Sequence, residues 1–225
     1  RPTGGWLIAV EGNTPADTSV QARRLADWLH GTERQVMLAS DPALEERRLR
    51  SVLDGAHLTG VRARALVAAA VRADVVERQV RPALEAGAVV VMERYVDSAL
   101  AQVSALGGLE TEELEGLADW ATGRLRPDLT VLLDREPSSL SDTLSVVAGG
   151  SRDGNDTLEH HWRVQRLLAD MAAADPDRYV VVDADGTEAE VSCRVRTAMR
   201  GVLASRNALP PSLAAEPDAA QAGSL

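Results

Sequence analysis

An apolar run, Trp6-Leu7-Ile8-Ala9-Val10, stops at Glu11-Gly12 and gives way within ten residues to a helix-forming segment that begins near Val20. A buried strand feeding a glycine turn and then a helix is the opening unit of a phosphate-binding loop, whose full form reads G-x-x-x-x-G-K-[ST]. The glycines of such a loop let backbone N–H groups wrap a polyphosphate. Its lysine reaches the β/γ oxygens, and its hydroxyl holds Mg²⁺. Here Gly12 and Ser19 fit, while Asp17 takes the place of the second glycine and Thr18 that of the lysine. Pro15 removes one further N–H donor. Each change opposes triphosphate binding. All 24 basic residues are arginine, so no lysine elsewhere in the chain can stand in for the missing one.

The rest of the chain continues the alternation that the first strand and helix begin. Gln35 to Ala39, Ala88 to Met92, Asp128 to Asp134 and Arg178 to Asp183 are short, nearly continuous apolar runs. Helical segments lie between them: Val20 to His30, Leu44 to Leu53, Val61 to Val80, Ser98 to Leu106, Thr111 to Thr122, Leu158 to Ala173 and Glu188 to Ser205. Apolar strands alternating with helices predict a parallel sheet covered on both faces, here a three-layer P-loop α/β fold with a five-stranded sheet. At 225 residues this is one domain, assigned to residues 1–205, with a disordered alanine- and proline-rich tail over 206–225. Ser138 to Asp156 reads as a helix fragment plus a mobile loop, with Arg152 inside it.

Composition excludes several classes of function. A net charge of −10 argues against nucleic-acid binding, which needs a basic stripe. The chain has no eighteen-residue apolar run, so we expect no membrane contact by this segment and a cytoplasmic location. Cys193, the only cysteine, reads as a reduced, partly buried thiol, and no cysteine or histidine cluster implies a metal site.

Two stretches carry functional signals. The Val61 to Val80 segment is apolar around most of its circumference, so we expect it to be buried on both sides, the second side by core or by a partner subunit. Arg72 interrupts it, and either snorkels to solvent or lines an anion pocket. The second stretch, Glu93-Arg94-Tyr95-Val96-Asp97-Ser98, follows the clearest buried strand. Charged residues past the carboxyl end of a parallel strand lie where open α/β sheets bind ligands.

From about residue 6 to 203 the chain resembles thymidylate kinases, which transfer the γ-phosphoryl group of ATP to dTMP. The resemblance is strongest in Arg81-Pro82-Ala83-Leu84-Glu85-Ala86-Gly87, Glu93 to Ala101, Trp120-Ala121-Thr122-Gly123 and Pro127 to Asp134. It implies that Glu93-Arg94-Tyr95 corresponds to an Asp-Arg-Tyr motif whose arginine grips the dTMP phosphate and whose acid lies near phosphate and metal. It also implies that Arg72 sits beside the base, with Asp97 and Gln102 in the monophosphate pocket. Several family features are replaced: the base-stacking aromatic by Ala68, the loop aspartate by Thr14, and an Arg-Glu-Pro-Gly-Gly-Thr motif by Ser40-Asp41-Pro42-Ala43-Leu44. The arginine-rich lid is reduced to Arg135 and Arg152. Phosphoryl transfer relies on positioning and electrostatic stabilisation, so a site without its lysine, glycine cradle and lid cations lacks its catalytic means.

The sequence therefore leads us to expect a catalytically inactive thymidylate kinase-like module that needs no cofactor and no metal. It would keep Gly12, Thr18, Ser19, Arg72, Glu93, Arg94, Tyr95, Asp97 and Gln102 as remnants of the site. Such a module would bind a protein partner or form a dimer through the 61–80 helix and retain at most weak affinity for a nucleotide monophosphate. The alternatives are a working dTMP kinase using ATP and Mg²⁺ through an atypical loop, and a noncatalytic monophosphate sensor.

Overall fold

The computed structural model describes residues 4–31, 34–41, 46–107, 109–135 and 158–205. Five strands, β1 (Trp6–Gly12), β2 (Val36–Ser40), β3 (Val89–Glu93), β4 (Leu129–Asp134) and β5 (Tyr179–Asp183), form one sheet in the order β2-β3-β1-β4-β5. Every pairing is parallel, with Val10 opposite Glu93 and Val131, and Asp134 opposite Asp183. The expected parallel sheet flanked by helices is the observed architecture. The middle strands are buried on both faces, which is why they are continuously apolar rather than alternating.

The helices are α1 (Pro15–Leu29), α2 (Glu46–Gly55), α3 (Val61–Val75), α4 (Arg81–Glu85), α5 (Val96–Leu106), α6 (Thr111–Thr122), α7 (Leu158–Ala174) and α8 (Glu188–Ser205). On one face of the sheet, Ala22, Leu25 and Leu29 of α1 and Val191, Val195 and Met199 of α8 pack on Ile8, Val10, Val91 and Val131. On the other, Ala65 and Val75 of α3 join Leu100 and Leu114 of α5 and α6 over Leu7, Ala9, Val90 and Met92. Ala101 and Ala105 of α5 pack with Val164 and Leu168 of α7 against Leu132.

Three local expectations are corrected. First, α1 starts at Pro15 rather than near Val20, with Thr14 as its N-cap. Proline suits the first helical turn, where its missing N–H costs nothing, and the glycine that would have held an open loop is Asp17. Second, the 61–80 segment is not a single helix buried all round. The α-helix ends at Val75 and continues through a π-helical turn, Val76–Val80, into α4. Within α3 only Ala65, Ala69, Arg72 and Val75 are buried, while Leu66 is 58% exposed, because small alanines spread the apolar signal around a helix that buries one stripe. Third, Cys193 is exposed on α8. The serine- and glycine-rich stretch with Arg152, and the 206–225 tail, lie outside the described residues.

No helix among the described residues is long and apolar enough to cross a membrane.

Candidate functional site

The carboxyl edge of the sheet gathers Glu11 and Gly12 from β1, Asp41 after β2, Glu93 and Arg94 from β3 and its turn, and Arg135 after β4. This is the edge at which parallel α/β sheets hold ligands.

On the β2–β3 side the site is built from buried charge. Asp41 N–H donates to the Glu93 carbonyl at 3.4 Å, which sets the β2 exit beside the β3 exit. The Asp41 carboxylate accepts a 2.5 Å hydrogen bond from Arg72 Nε, with both side chains almost fully buried. Arg72 therefore does not snorkel: it turns inward to an anion, and its Nη2 is a buried donor without a hydrogen-bond partner. Arg94 occupies the left-handed backbone region (φ 55°), where its N–H donates to the Val10 carbonyl at 3.0 Å. A non-glycine residue there is strained, and such strain is often retained where a side chain must be aimed. Its guanidinium is buried, with Nε and Nη2 unpartnered. Burial lowers its pKa, and the nearby Glu11, Asp41 and Glu93 carboxyls oppose that shift. Two arginines with unsatisfied donors behind the sheet edge suit a phosphate, which would supply charge and acceptors together.

The other residues expected in a monophosphate pocket do different work. Tyr95 is buried in the α3–α5 core, donates its hydroxyl hydrogen to the Leu125 carbonyl at 3.2 Å, and has its pKa raised by that burial. Asp97 accepts hydrogen bonds from Tyr179 Oη at 2.6 Å and Arg178 Nη1 at 2.8 Å, tying α5 to the start of β5. Gln102 is half-buried on α5.

On the β1–β4 side, a Cβ on Gly12 would meet Thr18 Cγ2 at 3.0 Å and Leu133 Cβ at 3.3 Å, so the strand exit and α1 approach as closely as glycine allows. Thr18 is fully buried in α1, its N–H bonded to the Thr14 carbonyl at 3.2 Å, and Ser19 is half-buried one residue further on. Asp17 is held by Arg135, with Nη2 to Oδ2 at 2.7 Å, while Asp185 lies 3.8 Å from Arg135 Nη1. Arg135 Nε is a buried donor without a partner in a cleft shared with Gly12, Asn13, Asp17 and Gln165. Asn13 is fixed by α7: its amide donates to the His161 carbonyl at 2.6 Å, and its Oδ1 lies 3.0 Å from His161 Nδ1.

Sequence reasoning missed Glu11, Asp41 and the Asn13–His161 link. Glu11 left a signal, being a carboxylate in an apolar strand, whereas the other two depend on partners 31 and 148 residues away. Among the described residues no group of three or more His, Cys, Asp or Glu side chains is placed to hold a metal.

Sheet order, parallel register and an arginine-lined carboxyl edge define a P-loop α/β fold of the nucleoside monophosphate kinase type. The thymidylate kinase family model matches residues 11–195. The thymidylate kinase of Clavibacter michiganensis subsp. michiganensis is 34% identical over 207 residues, covering 89% of this chain and 97% of the relative. That of Cutibacterium acnes is 36% identical over 204 residues, covering 89% and 98%. The crystal structure of thymidylate kinase from Ehrlichia chaffeensis superposes with a TM-score of 0.68 at 21% identity, over 87% of this chain and 99% of that one. The chain belongs to the thymidylate kinase family. The expectation of an inactive module is thereby overturned: kinase relatives match almost end to end at about a third identity, and the working-kinase alternative fits them better.

Proposed function

We propose that the chain is a dTMP kinase that transfers the γ-phosphoryl group of ATP to dTMP through an atypical phosphate loop. The observation that carries this reading is the near end-to-end match, at 34–36% identity, with proteins named thymidylate kinase, and the arginines at the β2–β3 side of the site support it. A phosphate oxygen of dTMP attacks Pγ as the bond from Pγ to the bridging oxygen breaks, leaving dTDP and ADP. Arg94, buried and donor-rich, grips the acceptor phosphate. Arg72, fixed by Asp41, stands on the same side with a free donor toward the nucleotide. Tyr95 and Asp97 act from behind, holding α5, which carries Gln102, where that pocket needs it.

The donor triphosphate lies over Gly12 and the first turn of α1, where the helix dipole favours an anion. Thr18 packs this loop without reaching the phosphates, and Arg135 offsets the Asp17 carboxylate. Mg²⁺ accompanying the triphosphate would meet the Ser19 hydroxyl and the Glu93 carboxylate as its protein donors and would supply charge neutralisation.

The kinase domain spans residues 1–205. A second copy packing on the α3 face, where Val61 and Leu66 are exposed, forms the dimer, and light scattering of a Leu66→Glu variant reads it. The decisive test of function is dTDP formation from dTMP and Mg-ATP by purified protein. Turnover that depends on Arg94 supports the reading, and absence of turnover refutes it.

A further inference from the structure

We propose that Glu11 is a positioning residue for the acceptor side: its buried carboxyl caps α5 from the end of β1 and holds the Glu93–Arg94–Tyr95 turn in register with the loop that follows Gly12. This rests on the kinase reading for its consequence, but not for its geometry.

Helix α5 begins at Val96 with Tyr95 as its N-cap and makes no side-chain cap of its own. The first N–H groups of a helix need acceptors. Glu11 provides them from a residue 84 positions away: Oε1 accepts the Tyr95 N–H at 3.0 Å and Oε2 the Ser98 N–H at 3.2 Å. The Ser98 hydroxyl bonds the same Oε2. Both ends of this buckle belong to the site. The residue before Glu11 accepts the Arg94 N–H, and the residue after it is Gly12, where the phosphate loop starts. Arg94, at φ 55°, is thus clamped between the Val10 carbonyl and a helix end that Glu11 fixes. Phosphoryl transfer is sensitive to the relative placement of donor and acceptor, and this single side chain joins the two halves.

The carboxyl is fully buried, and its charged neighbours come from several elements. Arg94 faces it from the β3–α5 turn and Asp97 from α5, with Arg178 and Tyr179 of the β5 segment held on Asp97. Desolvation, followed by Asp97, raises its pKa to about 8, while Ser98, Arg94 and the Tyr95 N–H pull the other way. Below that pH the neutral acid leaves the charge of Arg94 to the substrate phosphate. Above it a second anion competes.

The test uses the whole chain with Glu11→Ala, Glu11→Gln and Ser98→Ala, reading both Michaelis constants and dTMP affinity by calorimetry. Loss of the buckle in E11A is expected to weaken dTMP about tenfold, or ~1.4 kcal/mol, while KM for ATP changes less than twofold. E11Q carries no charge and keeps one acceptor oxygen, so it recovers part of that loss and should lack the fall in kcat/KM for dTMP through pH 8 expected of the wild type. S98A loses two- to threefold and serves if E11A does not fold. Equal loss for both substrates, unchanged dTMP affinity in E11A and S98A, or a wild type without dTMP affinity overturns the proposal. A wild type that binds dTMP without turnover refutes the kinase reading alone, and the calorimetric comparison still decides the role of Glu11.

Discussion

Asp41→Asn removes one charge from a buried pair at nearly constant volume, so its cost is electrostatic. Arg72 Nε lies 2.5 Å from Asp41 Oδ2, with side-chain exposures of 4% and 0%. Deleting one partner of such a pair leaves a desolvated ion, a change that typically costs about 3–5 kcal/mol. In a domain of this size each kcal/mol moves the melting temperature by roughly 2–4 °C, so D41N should melt roughly 6–20 °C lower. Replacing both partners, as in Asp41→Asn with Arg72→Met, should recover most of that loss, because the uncompensated charge disappears with the arginine. The same substitution has the opposite sign in binding. Asp41 also acts electrostatically on Arg94, so its removal leaves two guanidinium groups with less competing anion. The dTMP phosphate should bind D41N more tightly than wild type, and saturating dTMP should raise the melting temperature of D41N by more than it raises that of wild type. Thermal and urea unfolding with and without dTMP measure both quantities. A D41N protein within about 0.5 kcal/mol of wild type, the range of ordinary surface changes, would refute the stability argument. Weaker dTMP binding by D41N would refute the charge argument.

Other outcomes follow from the same charges. Arg135→Met strips the compensation from Asp17, so KM for ATP should rise about tenfold, a ~1.4 kcal/mol effect, and Asp17→Asn in that background should recover it; steady-state kinetics at saturating dTMP read the pair as a double-mutant cycle. Glu11 holds its proton more tightly when folded, with a pKa of about 8 against 4.5, so its contribution to stability is full below pH 4.5 and is lost as pH rises to about 8. Urea unfolding at pH 5 and pH 8.5 should show this fall in wild type and a flatter profile in E11Q. Arg94→Ala should cut kcat/KM for dTMP by more than a hundredfold, with little change in KM for ATP, because its unpartnered buried donors line the proposed acceptor side.

The sheet was legible because β1, β3 and β4 are nearly continuous apolar runs, a pattern that strands covered on both faces sustain. Helix ends were less so. Pro15 reads equally well as a loop breaker and as a first helical residue, and the choice depends on how closely Gly12 lets α1 approach β4. For α3 the run of alanines carried hydropathy but little volume, so it could not tell a helix buried all round from one that buries a single stripe. Arg94 was found from its place after β3. Glu11 and Asp41 were not assigned roles, because their partners come from α5 and α3.

Charge summed along the loop is a poor guide to function here, because electrostatics acts across the sheet. Read linearly, Asp17 is an added anion beside a missing lysine. In the fold, β1 and β4 are neighbours with Gly12 opposite Leu133, so the residue two beyond Leu133 reaches the first turn of α1. That residue is Arg135, and its guanidinium meets Asp17 at 2.7 Å with only 16% of its side chain exposed. The repulsion expected of the loop is thus largely cancelled before a nucleotide arrives. Arg135 still has an unpartnered buried Nε, while Asp17 has spent an oxygen on it. The proposed donor side thus offers a helix N-terminus and an arginine already paired with Asp17, whereas the proposed acceptor side has buried Arg72 and Arg94 with three unpartnered donor atoms between them. The phosphate selectivity of the site should therefore reside on the acceptor side, with dTMP discriminated sharply and the donor triphosphate held more loosely.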